Sequence, residues 1–222
     1  MTSISAEAKY ASLNRPARAL LTAALMLGAI FAPIPFPFKV PAFAAVALAW
    51  IWIENRSLAP VGLQPSFRPR STFLWTSLAV VGVIFVLGEL INPVIEWVFS
   101  KEADHSEYGP LYGNKDLALK LWLSALFSAA IAEEIIYRGF LLHQLSILLP
   151  KGMASEWIAI LIGGLTFAVP HYTQGVVGFI SIALVGILFG WIFFRSGRNL
   201  WSLMLAHALI DTWGIYSLYR GW

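Results

Sequence analysis

Seven near-continuous apolar runs, at roughly 17–34, 40–53, 72–99, 117–138, 156–170, 176–195 and 200–218, constrain this chain more than any single motif. Runs of that kind cross a bilayer as helices of about 20 residues. With 59% hydrophobic residues and only 12% charged among 222, the composition lies outside the soluble class. The expected fold is all-α: a polytopic transmembrane helical bundle of about seven spans. No soluble domain, low-complexity tract or internal repeat interrupts it, so residues 1–222 read as one integral membrane domain. The second and fifth runs are short, and the fifth is expected to end below the surface, with the stretch after His171 lining a wet cavity.

In such a chain the net charge of +3 indicates topology and does not point to nucleic acid. With the amino terminus inside, the inner loops hold nine cations: Lys9, Arg15, Arg18, Arg56, Arg68, Arg70, Lys151, Arg195 and Arg198. The outer ones hold five: Lys39, Lys101, Lys115, Lys120 and Arg220. That excess predicts a cytoplasmic amino terminus in a membrane of the bacterial inner type. Trp97, Trp122, Trp201 and Trp222 fall near proposed span ends, and Pro60, Pro65 and Pro69 mark a connection. Without cysteine there is no disulfide framework, thiol nucleophile or thiolate metal site.

Inside the fourth run stand Glu133, Glu134 and Arg138. Ionisable groups at membrane depth are costly and point to function by default. On an α-helix Glu134 and Arg138 are i and i+4, about 40° apart, and can pair; Glu133 lies about 140° from Arg138 and is left over. A purely structural clamp between helices is the rival reading. Two more polar islands follow: Phe167-Ala168-Val169-Pro170-His171 at the end of the fifth run, and His207-Ala208-Leu209-Ile210-Asp211 within the seventh. His207 and Asp211 are again i and i+4. Two imidazoles and a surplus carboxylate on separate spans can gather inside a bundle, where facing helices build sites. Ser124/Ser128 with Ala125/Ala129, and Gly186-x-x-x-Gly190, mark close helix contacts. Glu89 and Asn92 could line the same cavity or form a polar kink.

Glu-Glu-x-x-x-Arg at 133–138, Phe-x-x-x-His at 167–171 and His-x-x-x-Asp at 207–211 resemble, in that order, the motifs of the CPBP family. These intramembrane endopeptidases include CAAX prenyl proteases and bacteriocin-processing or self-immunity proteins. The resemblance covers a catalytic core of about 117–218, and the amino-terminal spans of about 17–99 add nothing to it. It implies that Glu133 activates the hydrolytic water, that His171 helps hold and deprotonate it, and that His207 stabilises the oxyanion with Asp211 as companion. Glu134 and Arg138 would be the supporting pair, with Phe167 part of the second motif.

Peptide hydrolysis needs a base for water, donors at the developing oxyanion and an acid for the leaving amine. Asp211 could orient and charge His207, as the acid of a Ser-His-Asp triad does, or be protonated. Glu133, His171, His207 and Asp211 could in principle hold Zn²⁺, yet no His-Glu-x-x-His signature occurs and such a ligand set leaves no free base. A metal-free glutamate mechanism without cofactor is therefore expected. The expected partners are the lipid bilayer and, as substrate, a membrane-anchored protein or lipophilic peptide. A catalytically silent binding or immunity protein and a small transporter or proton relay are the alternatives.

Overall fold

The computed structural model describes residues 13–63 and 68–221; Lys9, Pro65 and Trp222 lie outside them. Seven helices and no strand occur among the described residues. They are α1 (Arg15–Phe31), α2 (Lys39–Asn55), α3 (Pro69–Phe99), α4 (115–148), α5 (Met153–Ala168), α6 (Gly175–Arg195) and α7 (Leu200–Arg220). Local chemistry sets their ends. The Asn14 side chain accepts from the Ala17 N–H at 2.9 Å and the Asn114 side chain from the Leu117 N–H at 3.1 Å, each capping orphan donors of a first turn. Pro69 opens α3, where its missing N–H costs nothing. Arg56, Ser100 and Gly221 end α2, α3 and α7 in the left-handed region.

Two helical stretches are long and apolar enough to cross a membrane by themselves, Pro69–Phe99 and Met153–Arg195. Large apolar side chains stay exposed along the helices, among them Leu20, Phe73, Leu74, Phe127 and Leu165. A soluble monomer does not carry so much exposed apolar surface, whereas lipid covers it at no cost. The chain is a helical membrane protein.

The helix order places α4 at the centre. It packs against α2 on one side and α7 on another, while α5 and α6 pair with each other and α3 lies along α7. The α5–α6 pairing depends on glycine: a Cβ on Gly186 would come 2.7 Å from Gly164 Cα, so nothing larger permits this crossing. The expected Gly186-x-x-x-Gly190 contact is therefore present, with Gly190 resting on Ile160. Asn92 accepts a hydrogen bond from Ser181 at 2.8 Å, tying α3 to α6, and Glu89 is exposed on α3.

The fourth apolar run ends near 138, but the helix continues beyond it: α4 runs unbroken from 115 to 148, roughly 50 Å at about 1.5 Å per residue. Over Leu126–Leu141 its hydrogen bonding widens to the i→i+5 pattern, which is rare and concentrated at functional sites. At its far end Gln144 meets the amino-terminal helices. Arg18 of α1 donates to Gln144 at 2.7 Å and grips the Glu54 carboxylate of α2 with both terminal nitrogens, at 3.0 and 2.8 Å.

Candidate active site

The widened stretch of α4 carries Glu133, Glu134 and Arg138. Bonding from i to i+5 brings residues five apart toward one side, so Glu133 lies nearer to Arg138 around the axis than α geometry predicts. The expected ion pair is formed: Arg138 donates to Glu134 Oε1 at 2.9 Å, with both side chains buried. The same oxygen takes a second partner from α7, 73 residues away, because His207 Nδ1 lies 2.8 Å from it. A neutral carboxylate-facing nitrogen must carry its proton to bond there, so His207 Nδ1–H donates to Glu134. Glu134 is thus not committed to Arg138 alone, as the sequence suggested. It joins α4 to α7 and fixes the imidazole.

The other ring nitrogen, His207 Nε2, stands 3.5 Å from Asp211 Oδ1. That exceeds the range of a good N–H···O bond. The orienting acid of His207 is therefore Glu134, while Asp211 stands near a ring nitrogen that can turn to a new acceptor. Glu133 is half-buried, with His207, Asp211, Arg138 and Glu134 all within electrostatic reach.

His171 sits on the tight turn Val169–Gln174 that joins α5 to α6, so the fifth helix does end short as expected. Its Nδ1 lies 3.2 Å from the Phe167 carbonyl and donates to it, which leaves Nε2 unprotonated in the neutral ring. Phe167 is the common wall of the site. Its ring lies 5.4 Å from that of His171, 6.2 Å from that of His207 and 5.1 Å from that of Tyr137. The Arg138 guanidinium stacks 4.0 Å from its centroid, a cation–π contact in a dry setting.

Of the sequence-predicted site residues, His171, His207 and Arg138 meet this ring, Glu134 and Asp211 flank His207, and Glu133, His171, His207 and Asp211 are all half-buried. Sequence reasoning missed Phe189 of α6, which packs 6.1 Å from the His207 ring and 5.1 Å from Arg138. A phenylalanine in an apolar helix carries no mark that separates it from its neighbours. Its place inside Gly186-x-x-x-Gly190 was the only hint.

Among the described residues no three His, Asp or Glu side chains are grouped to hold a metal ion. What the arrangement offers is a carboxylate within electrostatic reach of His207, whose ring is held by a buried acid that a guanidinium compensates, and a second imidazole against the same Phe167 wall.

Residues 115–213 match the family model of the Rce1-like type II CAAX prenyl endopeptidases. The match covers every residue of the three motifs and agrees with the resemblance to the CPBP family. No curated protein and no solved structure matches the chain.

Proposed function

We propose, from the premise that residues 115–213 are of the Rce1-like type II CAAX prenyl endopeptidase kind, that this chain is an intramembrane endopeptidase. It cuts a peptide bond in a membrane-anchored protein or lipophilic peptide, using water activated by Glu133 and His171. The observation that carries this reading is the double engagement of Glu134. A carboxylate that clamps Arg138 on its own helix and His207 on another makes a rigid mount for one imidazole, and leaves Glu133 unspent beside it.

In this mechanism Glu133 removes a proton from water as the oxygen attacks the scissile carbonyl, with His171 Nε2 holding the second hydrogen. The negative charge that develops on the carbonyl oxygen is met by His207. Its Nδ1–H stays on Glu134, so a protonated ring presents Nε2–H to the oxyanion. Asp211 supports that charged form from 3.5 Å, too far for a good hydrogen bond, so the Nε2–H remains available to the oxyanion. Glu133 then returns its proton to the leaving amine. No step runs through a metal.

The seven helices serve as about seven spans, with the amino terminus cytoplasmic in a bacterial inner membrane. Mass spectrometry of membrane fractions from wild-type and Glu133→Gln cells tests the activity. A peptide that stays uncut in the variant is the expected result. Full function in a folded Glu133→Gln protein would instead favour the silent binding alternative. Activity unchanged by a strong chelator is expected; loss on chelation with recovery on added zinc would overturn the metal-free mechanism.

A further inference from the structure

The loop between α3 and α4 crosses the end of the bundle at which His171 lies, and it is held there at two points. The Asp104 N–H donates to the Gln174 carbonyl at 3.0 Å, and the Gly113 N–H donates to the Tyr219 carbonyl at 3.0 Å. Gln174 belongs to the same turn as His171, and Tyr219 lies on α7 two turns past Asp211. Between these ties the short helix Ser106–Leu111 packs on α7, with Leu111 buried. Tyr112 lies so close to Gly221 that an added Cβ would stand 2.7 Å from its ring. This connection is a strap laid over the site, fixed at one side to the His171 turn and at the other to the Asp211 helix.

Tyr108 stands on the strap, half-buried and flanked by Glu107 and Gln174, with Asp211 within electrostatic reach. Glu107 in turn lies within electrostatic reach of His171. Burial first, then the Glu107 carboxylate, push the phenol up to about 12, so it keeps its proton at any working pH. A neutral O–H at the rim of a hydrolytic site suits a peptide carbonyl, which is an acceptor with no charge to offer. The strap precedes residue 115, so it lies outside the segment that matches the family.

We propose that Tyr108 is a substrate-positioning residue whose phenol O–H donates to a main-chain carbonyl of the peptide held between the strap and the His171–Asp211 end of the site. Glu107 and Gln174 hold the ring in place until substrate arrives, and the carbonyl then takes the hydrogen. The inference rests on the peptidase reading.

The test uses the full-length protein in detergent and the peptide that accumulates in Glu133→Gln membranes, resynthesised with a quenched fluorophore pair. Tyr108→Phe is expected to raise KM about tenfold, the worth of one hydrogen bond to substrate, with kcat within about twofold and thermal unfolding unchanged. Tyr112→Phe, on the same strap, should match wild type. In the Glu133→Gln background, adding Tyr108→Phe should weaken equilibrium binding of the peptide by a similar factor. An unchanged KM and unchanged binding would overturn the proposal, as would a loss of kcat that tracks a loss of thermal stability. If Glu133→Gln cleaves as well as wild type, the peptidase reading itself fails; if it is inactive while Tyr108→Phe is normal, only the role of Tyr108 fails.

Discussion

A carboxylate that bonds both Arg138 and His207 through Oε1 leaves Oε2 buried and without a partner, and one nitrogen of Arg138 is in the same condition. Unpaired buried polar atoms are expensive, so the arrangement persists only because each charge answers another. Removing one member is costly: Arg138→Ala should destabilise the protein by about 3–5 kcal/mol, read as a lower unfolding temperature in detergent. Glu134→Gln is subtler. An amide oxygen can still accept both hydrogen bonds but brings no negative charge to answer the guanidinium and a protonated imidazole, so cleavage should fall by about 100-fold while the fold survives. Asp211→Asn should retain at least about a tenth of wild-type activity, because the 3.5 Å contact it perturbs is weak, whereas His207→Ala should abolish it. These are measured as initial rates on one peptide. The Glu134–Arg138 pair was legible because both members sit on one turn of one helix. The bond to His207 was not, since no periodicity links residues 73 positions apart. Sequence singled out Glu134 and His207 and left open that they bond each other.

Helix α4 shows what a hydrophobic pattern reveals and what it hides. Its existence follows from the apolar run, and its start from the Asn114 cap. Its widened bonding over Leu126–Leu141 follows from neither, because the same residue types populate ordinary α-helices. The widening leaves the expected pair intact, since Arg138 still meets Glu134 and not Glu133. The α5–α6 crossing is the opposite case: two glycines four apart announced a close approach, and Gly186 meets Gly164 backbone to backbone. Backbone cannot step aside as a side-chain end can. Gly186→Val should therefore lower stability by about 1–3 kcal/mol, while Gly190→Ala, whose new methyl would stand 3.4 Å from Ile160, should be tolerated. Thermal unfolding of the two variants side by side checks both.

For the molecule as a whole, an alternating helical path puts Lys101 and Lys151 at opposite ends of α4, and both side chains are exposed. The native chain lacks cysteine, so single-cysteine variants report position without background. A membrane-impermeant maleimide should label Lys101→Cys in intact cells and Lys151→Cys only after lysis; the reverse would invert the orientation that the cation count predicts. Fold class and helix number were legible in composition and hydropathy alone. The clamp of Arg18 on Glu54 and Gln144 was not, because it forms only when three helices are brought side by side.

That clamp bears on how the molecule could be divided. Arg18 reaches through to Gln144 and Glu54, so the segment that matches the family model is tied to a guanidinium contributed from well upstream of it. An expression product begun at residue 100 would present the orphaned Gln144 amide and the α2-facing flank of α4 to acyl chains. Cells should recognise such a fragment as misassembled and degrade it, even though it alone carries the stretch that matches the family model.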